Sequence, residues 1–168
     1  MRIRRLTMAT FFIVAAIISQ AQQAELLNEL PQTKEQFIAS EKNVLATIQW
    51  LEATPVKTEE EKRKEQYARL LAWITNSPTV TIEVNEKVLP FTRKNSELLF
   101  MFMAGWIRYS LQNNYSKDQV QGTLAGIRCA AKVYKAGELK KDKEMQKLID
   151  LDAKGELENW VKEKLAKG

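Results

Sequence analysis

The stretch of sequence around which the fold is built is Leu98-Leu99-Phe100-Met101-Phe102-Met103-Ala104-Gly105-Trp106-Ile107. Such a run is apolar on every side when it is wound into a helix, so it predicts a helix over 97–112 that is enclosed by other helices. A membrane-spanning helix needs about 20 apolar residues, and charged residues bound this run on both sides. We therefore interpret it as the central core helix of a soluble protein.

Apolar residues at helical spacing continue on both sides of this run. They predict further helices at 34–53, 59–75, 117–136, 142–153 and 156–166. Gly137 and Gly155 stand directly after two of these segments, where a left-handed C-terminal cap favours glycine. The predicted fold class is all-α, a single-domain helical bundle of five to six helices.

Three segments predict the start of a helix by the sequence of a capping box. In this motif a hydroxyl accepts a hydrogen bond from the amide three residues later, and the side chain of that later residue bonds back. The motifs begin at Thr33, Thr58 and Ser116. Ser40 is an alternative start for the first helix.

Residues 79–90 depart from the helical pattern. Thr79–Val84 alternates with period two and is rich in β-branched residues, which is typical of a strand. Asn85-Glu86 offers a turn, after which Val88-Leu89 could pair back. The sequence leaves open a short β-hairpin and an extended connector lying over the core.

The first residues have the pattern of a secretory signal peptide. Three arginines precede the uncharged, mostly apolar stretch Leu6–Ile18, and Ser19-Gln20-Ala21 fits a small-x-small cleavage site. We predict a signal peptide over 1–21 and a mature helical domain over 22–168. A stretch of thirteen residues spans only about 20 Å, less than a hydrocarbon core of roughly 30 Å. The pattern thus favours export to the periplasm or the exterior, with no stable membrane insertion after cleavage.

Composition excludes several function classes. The chain has no His and one Cys, so it lacks imidazole-based catalysis, a Cys-based zinc site and an internal disulfide. The net charge of +5 falls to +2 over 22–168, which removes the support for a nucleic-acid partner. We predict no catalytic residues, no metal ligands and no cofactor.

Small residues on the fourth helix predict a close helix crossing. Gly122 and Gly126 are four residues apart, and Cys129 lies on the same side. Such spacing lets another backbone approach, and we favour a crossing inside the domain over one between molecules. Cys129 is expected to be buried, where it behaves as a small apolar residue.

The candidate interaction surface consists of aromatic residues. Trp50 and Trp73 fall beside the apolar stripes of their helices, so partial exposure is expected. If they cluster with Phe91 or Tyr109, the four would line a groove. Core packing is the alternative role for each of them.

The layout resembles an uncharacterised family of short exported all-helical proteins of Gram-negative bacteria. The resemblance covers essentially the whole mature chain and rests on Trp50–Pro55, Asn76–Pro78, Met103–Trp106, Leu124–Ile127 and Lys141–Gly155. It implies export and a helical fold. None of these motifs implies catalysis.

A looser similarity is to small helical periplasmic immunity proteins, in size, export and an aromatic-glycine helix. Many of those proteins have a disulfide that this chain cannot form internally. Three hypotheses of function follow. The first is an exported soluble helical binding protein with a protein or peptide partner, and not an enzyme. The second is an immunity-type protein that neutralises a toxin, and the third is a small carboxylate-dependent hydrolase.

Overall fold

The computed structural model describes residues 25–167, and over this range it confirms an all-α bundle of six helices without strands. The helices are α1 (Lys34–Ala53), α2 (Glu60–Asn76), α3 (Glu97–Gln112), α4 (Gln119–Lys135), α5 (Lys143–Ala153) and α6 (Leu157–Ala166). No helix within 25–167 combines the length and the apolar character needed to cross a membrane. The predicted signal peptide over 1–21 lies outside the described residues.

Helix α3 occupies the centre of the bundle, as its apolar sequence predicts. It packs most extensively against α4 and also contacts α1 and α2. Leu98, Met101 and Phe102 are completely buried, whereas Phe100 and Met103 are only half-buried. The helix is therefore not enclosed on every side, and the face directed toward α2 retains exposed apolar surface.

Glycines allow α3 and α4 to approach until their backbones nearly touch. A Cβ atom added at Gly105 of α3 would lie 2.4 Å from the backbone oxygen of Ala125 on α4. One added at Gly126 would lie 2.5 Å from the Phe102 ring and 2.7 Å from the Phe102 backbone oxygen. Real Cβ atoms do not approach other atoms so closely. The predicted crossing is thus confirmed as one inside the domain.

Of the predicted capping boxes, only the one at Thr33 is present, with both of its hydrogen bonds to Gln36. The predicted cap at Thr58 is wrong. The Thr58 amide donates to the Pro55 carbonyl in a turn, and α2 begins at Glu60, one residue after the predicted start at 59. Ser116 was also wrong, because the Asp118 side chain caps α4 instead. Ser40 lies inside α1.

Residues 79–90 form the extended connector, the second of the two predicted alternatives. The period-two pattern buries Val80 and leaves Val84 51% exposed, but no partner strand is present within 25–167. Asn85 caps the short 3-10 helix Glu86–Val88 by accepting from the Lys87 amide, so it does not make a hairpin turn. A second 3-10 helix, Pro90–Arg93, leads into α3.

The segment before α1 is held on the bundle by the buried side chain of Leu27 and by two hydrogen bonds between the Leu27 backbone and side chains of α1 and α2. Leu27 is 1% exposed, and its amide donates to the buried hydroxyl of Thr47 at 2.8 Å. The Leu27 carbonyl accepts from Arg69 of α2 at 3.3 Å. Leu27 therefore joins α1 to α2 through Thr47 and Arg69.

We expect Gly126→Leu to lower the free energy of unfolding by about 3 kcal/mol or more, because the added side chain must displace the Phe102 ring and backbone. For a domain of this size, the melting temperature should fall by roughly 6–12 °C. Thermal unfolding followed by circular dichroism measures the change. Ala68→Leu is the control, since Ala68 is exposed on α2. Equal melting temperatures for the two variants would contradict the packing at this crossing.

Candidate binding surface

A shallow apolar groove runs between α2 and α3. Its edges are formed by residues at helical spacing, Leu71 and Ile74 on α2 and Phe100 and Met103 on α3. Its floor is formed by Tyr67, Leu70, Ala104 and Ile107. Leu71 is 44% exposed at the edge of this groove. The groove has little free volume, so a partner would lie across it.

A second depression, the cationic hollow, begins where the apolar groove ends. It has a volume of about 560 Å³ and is lined by five cationic and three acidic side chains, namely Lys57, Arg63, Lys64, Lys94, Lys140, Glu60, Glu97 and Glu138. Tyr67 and Phe100 belong to the walls of both depressions. Their rings are stacked, with centroids 4.7 Å apart and an angle of 14° between planes. The two depressions therefore form one continuous surface.

Arg63 is the most deeply buried cation at this surface, with 3% of its area exposed. Its guanidinium donates to the carbonyls of Leu51 and Thr54 at the C-terminal end of α1, and to the Tyr67 hydroxyl at 2.8 Å. Its buried Nε has no hydrogen-bond partner among the described residues. Arg63 also forms no ion pair with any acid in 25–167.

Tyr67 accepts the Arg63 bond as a neutral phenol. Burial raises the pKa of the Tyr67 hydroxyl, and the nearby Arg63 charge only partly opposes this effect. The hydroxyl is therefore protonated at neutral pH and contributes no negative charge to offset the guanidinium. The charge of Arg63 is balanced by neutral oxygen atoms alone.

The four aromatic residues predicted as an interaction surface do not form one. Trp73 and Phe91 are 0% exposed; Trp73 donates to Ser40 and packs against Phe37. Trp50 and Tyr109 are half-buried on α1 and α3. No ring contact joins any two of the four within the described chain. Trp73 and Phe91 fill the core, so neither side chain is accessible to a partner.

Trp50 does not line the cationic hollow, but it is close to Arg63, which does. The Lys62 ammonium is 4.7 Å from the centre of the Trp50 ring, and the Arg63 guanidinium carbon is 5.9 Å from it. Such cation–π contacts stabilise by about 0.5–1 kcal/mol at exposed sites. Trp50 thus contacts the start of α2, which carries Arg63, and its fluorescence reports changes around Arg63.

A separate polar cluster is centred on Glu52, a residue that sequence reasoning did not select. Its side chain is 4% exposed and pairs with Arg108 of α3 at 2.6 Å and with Lys132 of α4 at 2.7 Å. The Cys129 thiol donates to the same carboxylate at 3.0 Å. Burial by itself would raise the pKa of Glu52, but these hydrogen bonds outweigh it and lower the pKa. The cluster ties α1 to the α3–α4 pair.

Cys129 is buried as predicted, with 1% of its area exposed. Burial and the adjacent Glu52 carboxylate raise the pKa of the thiol well above its ordinary value. The thiolate is the reactive form of cysteine, so this environment opposes nucleophilic use. Cys129 acts here as a packing residue and a hydrogen-bond donor.

Acidic residues within 25–167 do not gather into a metal site. No group of three or more His, Cys, Asp or Glu side chains in that range is arranged to hold an ion. Glu41 has a pKa raised by burial, although the Tyr115 hydroxyl bond opposes the shift. Glu41 and Glu52 belong neither to the apolar groove nor to the cationic hollow.

Comparison with protein-family models, with curated protein sequences and with solved structures finds no match for this chain.

We expect Glu52→Gln to lower the free energy of unfolding at pH 7 by about 1–3 kcal/mol, because Arg108 and Lys132 lose their counter-charge. The pKa of Glu52 is lower in the folded than in the unfolded protein. Its contribution is therefore present above the ordinary value of 4.5 and is lost as the pH falls through the folded pKa. Urea unfolding at pH 7 and at about pH 3 measures both effects.

The matched control for Glu52→Gln is Glu29→Gln, since Glu29 is exposed and forms no ion pair in the described part of the chain. It should change stability little at either pH. A Glu52→Gln effect that persists unchanged at low pH would contradict the role of the ionised carboxylate.

Native Cys129 should react with a thiol reagent about a hundredfold more slowly than the unfolded chain, because reaction requires opening of the α1–α3–α4 contact. Absorbance of the released chromophore, with and without urea, measures the two rates. Similar rates would show that the thiol is accessible in the native protein.

Proposed function

We propose that this protein is an exported, soluble helical binding protein, not an enzyme, and that it binds a protein or peptide segment across the apolar groove. The observation that carries the proposal is the exposed Leu71 of α2, which lies next to half-buried apolar side chains of α2 and of the central helix α3. Contiguous exposed apolar surface on a soluble domain is typical of an interaction site.

The geometry of the groove favours a segment with side chains at helical or extended spacing. Leu71 and Ile74 on one edge face Phe100 and Met103 on the other. Aromatic and methionine side chains adapt to different partners and are enriched at interfaces. Because the groove is shallow, affinity would come from apolar area covered by the partner and not from deep insertion.

Variants of equal exposure test this surface. Random 12-residue peptides displayed on phage are selected on the mature chain, and the affinities of the enriched peptides are measured by fluorescence polarisation. We expect Leu71→Asp to weaken binding about tenfold or more, since a charge would enter the apolar contact. Ile38→Asp is the control, because Ile38 is also 44% exposed but lies on α1 outside the groove.

Both variants must retain the helical circular dichroism of the parent. Equal loss of binding in the two variants would place the contact elsewhere, and no enrichment over a blank surface would contradict peptide binding. If a single toxin binds with nanomolar affinity and Leu71→Asp abolishes that binding, the protein has the immunity-type role and uses the same groove.

Export is the second part of the proposal, and the arginine-rich start followed by Leu6–Ile18 and Ser19-Gln20-Ala21 supports it. Expression of the full chain in a Gram-negative host should give a periplasmic or extracellular product whose first residue is Gln22. N-terminal sequencing reads the cleavage point. An uncleaved cytoplasmic product would contradict export.

A further inference from the structure

We propose that the cationic hollow receives a carboxylate of the bound segment, so that the protein selects peptides in which apolar residues stand next to an acidic one. This inference rests on the proposed function, because it concerns the continuation of the same surface. It assigns the class of partner, an acidic amphipathic peptide segment. Three observations carry it: continuity with the apolar groove, a buried arginine that forms no ion pair within 25–167, and exposed lysines that form none in the same range.

Because the apolar groove and the cationic hollow are continuous, one peptide chain can occupy both at once. The stacked Tyr67 and Phe100 rings form the boundary, and each ring lines both sides. A chain lying along the groove passes over these rings and reaches the hollow with its next residues. A free ion would use only the hollow, whereas a peptide covers both depressions and buries more surface.

The buried Arg63 has no direct ion-pair partner within 25–167, although carbonyls at the negative end of α1 offset part of its charge. Burying a guanidinium is costly unless the group is paired, and arginine at such sites characteristically pairs with a carboxylate or a phosphate. Here its partners are neutral oxygens, and one buried nitrogen has none. An acidic group in the hollow would place a negative charge beside this side chain.

Lysines at the rim add exposed positive charge. Lys57, Lys94 and Lys140 are exposed and form no ion pair within 25–167. Lys64 is paired with Glu61 at 2.8 Å and is less available. With five cations against three carboxylates, the lining has an excess of two positive charges. That excess suits one or two acidic side chains better than a highly charged polymer.

The N-terminus of α3 also favours an anion in the cationic hollow. Ser96 and Glu97 line the hollow, and Ser96 stands at the N-cap without forming a side-chain cap bond. The first turn of a helix carries partial positive charge, which favours a nearby anion, but the Leu98 and Leu99 amides of this turn already donate to the Asn95 and Ser96 carbonyls. Glu97 offsets part of this field, and the Asn95 side chain fixes the hollow's far wall by bonding the Lys140 backbone at 2.9 and 3.0 Å.

Matched peptides and charge-reversed variants test the inference. We expect display-selected peptides to contain Asp or Glu next to an apolar pair, and replacement of that acid by its amide to weaken binding to the mature protein about tenfold or more. The double variant Lys57→Glu/Lys94→Glu should weaken binding of the acidic peptide by a similar factor. It should bind a lysine-substituted peptide better than the parent protein does.

The control variant is Lys42→Glu/Lys117→Glu, which makes the same change in net charge at exposed lysines outside both depressions. Its affinity for the acidic peptide should stay within about twofold of the parent's value. Thermal unfolding of both double variants ensures that folded proteins are compared. Quenching of Trp50 fluorescence by the acidic peptide, absent in Trp50→Phe, would show that the peptide binds near Arg63, and its loss on replacement of the acid by the amide would assign the effect to the carboxylate.

The two proposals fail in different ways. If peptides bind and Leu71→Asp abolishes their binding, but the acid-to-amide change has no effect, the carboxylate site is wrong and the groove remains. If no peptide binds, both proposals are overturned. If inorganic phosphate or acetate alone quenches Trp50 and no peptide competes, the hollow binds free anions and the peptide assignment is wrong.

Discussion

The contact between α3 and α4 is the constraint on which the rest of the structure depends. Gly105 and Gly126 bring the two helices so close that a single added Cβ atom would overlap backbone or ring atoms. Dispersion forces act over short distances, so this approach maximises packing along the whole crossing. The remaining helices pack around the pair, and α1 and α2 cover only part of the surface of α3 that α4 leaves open.

Two buried polar side chains hold the C-terminal end of α1, one toward the central pair and one toward α2. Glu52 connects the end of α1 to α3 and α4 through its ion pairs, while Arg63 of α2 holds the last carbonyls of the same helix. The interactions of Glu52 and of Arg63 both lie next to the turn between α1 and α2. That turn supplies one wall of the cationic hollow, so the polar ties that orient the helices also shape the candidate site.

Helix positions were predictable because they depend on local periodicity. The predicted bounds of all six helices agree with the structure to within two residues. Helix starts were less predictable, because several capping residues compete within a few positions and the turn geometry selects among them. Asp118 took the place of Ser116 in this way. The alternating pattern of 79–84 gave no strand, since a strand requires a partner that the chain does not supply within the described range.

The candidate site was largely outside the reach of the sequence. Arg63 and Glu52 stand in the apolar stripes of their helices, one turn before Tyr67 and one turn after Ile48, and that placement is the signal by which they could have been selected. The aromatic residues chosen from their spacing were misleading because spacing does not say which face a neighbouring helix covers. Trp73 faces α1 and the core, whereas Leu71 two positions earlier faces solvent.

The sequence by itself determined the helical class, a count of five to six helices, the close crossing at Gly126 and the absence of histidine chemistry. These properties follow from composition and from short-range periodicity, which act within a few residues. Tertiary structure alone decided that α2 leaves one face of α3 open, that Tyr67 stacks on Phe100, and that Arg63 is buried without an acidic partner among residues 25–167. Those features depend on how helices distant in sequence cover one another, and no local pattern encodes that arrangement.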